Sequence, residues 1–174
     1  MKKVILISLI TLSLQSCISS RGIIKRSKKD PISFSKETLN GFYQNEKNLW
    51  NDLVSINKSS HNPKKFSVEE ALIKLQLITD SQLSVKLYHD GHFLDEFILE
   101  GKIKKDHFSI KRNFSLIPFF PIFFQHDEYK ILLGNDKNGD LILFEGRLKD
   151  GFALIIGSGY SWKGGHIIPK IRSL

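Results

Sequence analysis

From Ala71 onward the chain alternates apolar and polar residues in short runs, and this constrains its fold more than any other feature. Ala71, Ile73, Leu75 and Leu77 alternate with Leu72, Lys74 and Gln76. Leu83, Val85 and Leu87 alternate with Ser84, Lys86 and Tyr88. Successive side chains of a strand point to opposite faces, so this spacing predicts strands with one buried face. Phe93 to Leu99, Ile103, Phe108 to Ile110, Tyr129 to Leu133, Leu141 to Phe144 and Phe152 to Ile156 continue the series. Turn residues separate the runs: Asp80-Ser81, Asp90-Gly91, Gly101, Asp106, Asn135 to Gly139, and Lys149-Asp150-Gly151. Asp90-Gly91 is a hairpin pair, because both residue types tolerate positive φ. Short strands at this spacing predict a mostly all-β antiparallel meander. Such a sheet must bury one face and manage its edges, which a barrel or half-barrel does. A two-layer sandwich and an open sheet crossed by a helix are the alternatives.

Before the meander, Leu39 to Tyr43 reads as a first short strand. Glu46 to Val54 predicts one short N-terminal helix with Leu49, Trp50 and Leu53 on one face. Ser67 to Glu70 suggests a turn, and Ile167 onward a basic tail whose Pro169 argues against a central strand. Gly41-Phe42-Tyr43 resembles the Gly-x-aromatic opening of lipocalin-like barrels, with Tyr43 where Trp is usual. That resemblance implies an architecture and no mechanism.

The first residues have the layout of an export signal. Lys2 and Lys3 precede an apolar run from Val4 to Leu14. At about eleven residues it is too short for a membrane-spanning helix, which needs roughly 20. Leu14-Gln15-Ser16-Cys17 then resembles the lipobox of bacterial lipoproteins; Gln15 is larger than the residue usual there. The chain as a whole resembles small lipoproteins of the Bacteroidetes kind, a group without an agreed activity. The resemblance implies cleavage before Cys17, diacylglycerol on its sulfur and a membrane anchor at that residue. Cys17 is the only cysteine, so it cannot form an internal disulfide. Ile18-Ser19-Ser20 carries no acid, which by the same resemblance implies the outer membrane, facing the periplasm. The expected organisation is a signal peptide over 1–16, a lipidated cysteine and basic tether over 17–30, and one β-rich domain over 31–174.

Charge distribution matters more than its total of +8. Residues 18–30 hold Arg21, Lys25, Arg26, Lys28 and Lys29 against Asp30. From Pro31 onward 19 basic side chains face 17 acidic ones. The basicity therefore belongs to the leader and tether, and nucleic acid is not an expected partner. The tether is either a solvated spacer or a contact for anionic headgroups, each basic residue adding roughly 1 kcal/mol.

The segment Phe114 to Phe124 holds five phenylalanines: Phe114, Phe119, Phe120, Phe123 and Phe124. Pro118 and Pro121 exclude a regular helix and a central strand. Three readings stay open: a core-lining connection, a wall of an apolar ligand cavity, or a patch touching membrane or partner. Asp136 to Asp140 lacks the calcium-loop pattern, with Gly139 at the fourth place and Arg147 at the twelfth. His89, His92, His126, Asp127 and Glu128 show no spacing that converges on a metal. Gly157 to Ser161 misses the Gly-x-Ser-x-Gly nucleophile pattern and reads as a strand exit. Asp95 and Glu96 point to opposite faces of a strand. The expectation is an envelope lipoprotein without catalytic residues, cofactor or metal, binding an apolar small molecule or lipid. An envelope scaffold or interaction accessory using Phe114 to Phe124 is the alternative, and a hydrolase with a non-standard site the third.

Overall fold

The alternating segments form a single antiparallel meander. A computed structural model describes residues 18–57, 70–119, 123–153 and 156–172. Its strands are β1 (Gly41–Gln44), β2 (Leu72–Thr79), β3 (Gln82–His89), β4 (His92–Ile103) and β5 (Phe108–Ile110). They continue with β6 (Asn113–Phe119), β7 (Phe123–Asn135), β8 (Leu141–Ala153), β9 (Ile156–Ile168) and β10 (Lys170–Ile171). Three short helices accompany them: α1 (Ser20–Ser27), α2 (Lys36–Leu39) and α3 (Leu49–Ile56). The strands pair in the order β10-β1-β2-β3-β4-β5-β7-β8-β9, and β6 pairs β7 beyond the end of β5. The two ends of this path, β9 and β10, are separated only by Pro169. The sheet therefore curls into a half-barrel and is not sealed by a closing ladder.

Local chemistry explains the turns. Asp90 and Gly91 both have positive φ, 50° and 74°, and His89 pairs with His92 across them. Asp136 Oδ1 accepts from the N–H groups of Asn138 (2.8 Å) and Asp140 (3.0 Å), so this carboxylate builds a hairpin turn. Proline lies where the ladder can spare an N–H. Pro118 is on β6, an edge strand, and Pro169 marks the joint where the chain stops pairing with β8 and begins pairing with β1.

Four sequence expectations shift. Lys149-Asp150-Gly151, expected to turn, lies inside β8 and pairs with strands on both sides. The helix begins at Leu49, because Lys47 and Asn48 adopt φ of 52° and 60° and leave a 3-10 turn over Glu46–Asn48. The Asn45 side chain reaches past this kink to accept from the Trp50 N–H at 2.9 Å. Gly157 to Ser161 is strand interior, not an exit, since β9 runs on to Ile168. Residues 18–30 are not a free tether: α1 packs on β8 and β9 and buries Ile18 and Ile23.

The interior is filled. α3 inserts Leu49, Trp50 and Leu53 among Ile73, Val85, Phe108, Ile131 and Leu143, all buried. Trp50 meets Phe97 edge-on at 4.9 Å. The Tyr43 ring is also fully buried, and its hydroxyl donates to the Leu39 carbonyl at 2.7 Å.

Candidate functional site

Strands β7, β8 and β9 each run 13 residues, longer than the core needs. Their outer halves, with β6, project as a four-stranded arm from the mouth of the half-barrel. Cross-strand register assigns the faces. Asn113, Tyr129, Arg147 and Trp162 form one row on the inner face, and Ser115, Asp127, Lys149 and Tyr160 the next. Phe114, Glu128, Leu148 and Ser161 form a row on the outer face, followed by Leu116, His126, Asp150 and Gly159.

The inner face bounds a cleft of about 460 Å³ where it meets α3. Ser55, Tyr129, Glu145 and Arg147 line its inner part, and Tyr160 and Trp162 wall it along β9. Glu145 continues the inward alternation of Leu141 and Leu143, so its carboxyl is carried to the edge of the core and is only 8% exposed. There it shares a hydrogen bond with Asp52 of α3. Burial, then the Asp52 charge, raise Glu145 to about 7. Burial also raises Asp52, so the pair holds a proton between two oxygens. Tyr129 is raised too, by burial and then by the Glu145 and Asp52 charges. Arg147 donates to Asp127 at 3.1 Å, which keeps the guanidinium firmly protonated. The two carboxyls are too close to flank a glycosidic bond, which requires roughly 5–5.5 Å or 6.5–9.5 Å between them. The arrangement can hold hydroxyl and amide groups.

On the outer face the N-terminal segment is fastened along the sheet. The Ile18 N–H donates to Glu128 Oε2 at 3.2 Å. Glu128 is fully buried, and its other oxygen accepts from Arg112 at 2.9 Å. Ile23 lies over Gly146, where a Cβ would come within 2.8 Å of its Cδ1. Ser27 lies over Gly165, and the Ile32 N–H donates to the Asn135 carbonyl at 2.9 Å. From Ile18 to Ile32 the chain thus runs from the arm towards the core. Arg21, Lys25, Arg26 and Lys28 are exposed on this segment.

The expected contact residues fall partly here. Phe114 is 42% exposed on edge strand β6, beside Leu116 and Ile117, which are also exposed; it does not line the core. Its ring packs on the buried His126 at 5.2 Å, under the Arg112 guanidinium. Phe123 and Phe124 are half-buried on β7. Phe119 ends β6, opposite Phe123. Cys17 and Phe120 lie outside the described residues. Among those residues, no three His, Cys, Asp or Glu side chains are grouped to hold an ion. Sequence spacing missed the pairing of Asp52 with Glu145, which lie on different elements. The usable signal was Glu145 itself, a carboxylate at an inward strand position.

Fold and cleft together define a small all-β half-barrel with a helix-filled core and an open, aromatic-walled mouth. Compared with family models, curated proteins and solved structures, the chain matches none of them.

Proposed function

We propose that this is an outer-membrane lipoprotein, acylated on Cys17, whose domain works by contact and lies with the outer face of its arm against the lipid surface. One observation carries the reading. The docked N-terminal segment brings Ile18, the residue that follows Cys17 in the sequence, beside an apolar edge strand and a basic helix face. Ile18 is bonded to Glu128, the cross-strand neighbour of Phe114. Leu116 extends the apolar surface, and α1 offers Arg21, Lys25 and Arg26. Exposed apolar groups next to cations suit the boundary between headgroups and acyl chains. A protein in the envelope contacting the same face is the neighbouring reading. The packed core supports contact over carriage of an apolar ligand in the barrel interior.

The test compares the acylated chain in vesicles of phosphatidylethanolamine and phosphatidylglycerol with Cys17→Ser in solution. Amide exchange should slow in β6 and α1 of the vesicle-bound chain and stay unchanged in β2 and β3. Equal exchange in β6 in both samples refutes the contact. A Cys17→Ser chain that still fractionates with membranes in cells refutes the anchor.

A further inference from the structure

The inner cleft faces away from the proposed membrane side, and its chemistry calls for a ligand of a different kind. We propose that it binds a neutral saccharide, with sugar rings stacked on Tyr160 and Trp162 and hydroxyls hydrogen-bonded by the polar side chains between β9 and α3. This rests on no part of the membrane reading.

The two rings come first. Tyr160 and Trp162 are two residues apart on β9, so they share a face at a spacing of about 7 Å. They are 58% and 37% exposed, and both line the cleft. Trp162 is held flat. Its six-membered ring lies over Gly164, where a Cβ would stand 2.6 Å from Cζ2 and 2.9 Å from Cη2. Glycine at that position lets the indole rest on the strand and present its other face to the cleft. Adjacent exposed aromatic rings are large apolar surfaces that a ligand would remove from water.

The groups facing them select the ligand's chemistry. Ser55, Asn113, Tyr129 and Glu145 offer donors and acceptors side by side, as a chain of hydroxyls requires. An apolar ligand would strip water from these groups and return no hydrogen bond. An anionic ligand would meet the Asp127 and Glu145 carboxyls of the same cleft, with the charge of Arg147 already balanced by Asp127 at 3.1 Å. The volume, about 460 Å³, falls in the range of sites that enclose small ligands. The direct hydrogen bond between Asp52 and Glu145 leaves no room for a scissile bond between them, so the ligand is held and not cleaved.

The test uses the full acylated chain in a polyoxyethylene detergent, which carries no sugar. The probes are neutral hexasaccharides of α-linked glucose, β-linked glucose and β-linked N-acetylglucosamine, with hexagalacturonate and palmitate as contrasts. The chain has two tryptophans and Trp50 is fully buried, so a change in emission reports Trp162. At least one neutral hexasaccharide should bind tighter than about 1 mM and be recovered intact. Trp162→Ala and Tyr160→Ala should each weaken it about tenfold, while Trp162→Phe keeps most of the affinity. Gly164→Ala, which dislodges the indole without altering the ring, should weaken binding with the circular dichroism unchanged. Both aromatic side chains are exposed, so these truncations open no core. The proposal is overturned if no neutral probe binds, if only hexagalacturonate or palmitate binds, if the probe is cleaved, or if the alanine variants bind as the parent does.

Discussion

The Asp52–Glu145 pair shows how one side chain can tie stability to pH. Glu145 releases its proton near 4.5 when unfolded and near 7 when folded. Between those values the unfolded chain has lost a proton that the fold retains. Stability therefore falls as pH rises through that window, and the loss is complete above it. Glu145→Gln keeps a donor facing Asp52 and removes the titration. Denaturation midpoints at about pH 5 and about pH 8 should differ for the parent, with the lower value at the higher pH, and converge in the variant. A parent with equal midpoints would show that the pair is solvated. Sequence reading placed Asp52 in a helix and Glu145 just past an alternating run. It could not join them, because α3 reaches β8 only once the sheet has curled.

At the scale of elements, α1 is the part that sequence and structure describe most differently. Three of its eight residues are basic and only Ile23 is buried, which is why the segment reads as a spacer. Eight residues are also too few for a helix to persist alone. What stabilises it lies elsewhere in the chain. Ser19 caps it, accepting from the Gly22 N–H at 3.0 Å, and Gly146 and Gly165 leave slots into which Ile23 and Ser27 fit. Gly146→Val should fill the first slot and undock α1. Trypsin should then cut at Arg21, Lys25 or Arg26 well before it cuts the parent, with the β signal in circular dichroism retained. Equal cleavage rates would mean that the slot does not hold the helix. Strands β2 and β3 and the first half of β8, by contrast, were legible almost residue by residue, since alternation depends on neighbours two positions apart, while the Gly- and Ser-rich β9 carries no such alternation. Phe114 was the exception: hydrophobicity alone does not reveal that β6 lies at an edge, where its side chains reach solvent.

For the whole molecule, the fold separates two surfaces. The outer face of the arm carries α1 and the apolar edge, while the inner face carries the cleft. If the outer face meets anionic lipid, its cations should contribute independently of the anchor. Replacing Arg21, Lys25 and Arg26 with Gln in the Cys17→Ser chain should weaken binding to phosphatidylglycerol vesicles about a hundredfold, at about 1 kcal/mol per charge. The same replacement should leave binding to phosphatidylcholine vesicles, and any saccharide binding, unchanged. An unaltered affinity for anionic vesicles would remove the helix from the contact.

The amino-acid sequence by itself determined the antiparallel meander, the turns at Asp80-Ser81, Asp90-Gly91 and Asn135 to Gly139, and the inward face of β2, β3 and the first half of β8. These follow from a period of two and from residues that accept positive φ, both local properties. It also carried the signal-like leader and Cys17, on which the expectation of a membrane anchor rests. Tertiary structure alone decided that the basic segment docks, that Phe114 is exposed, and that an acid pair and two aromatic rings share one cleft. Each of these depends on groups brought together by the curl of the sheet, and no spacing along the chain encodes that distance.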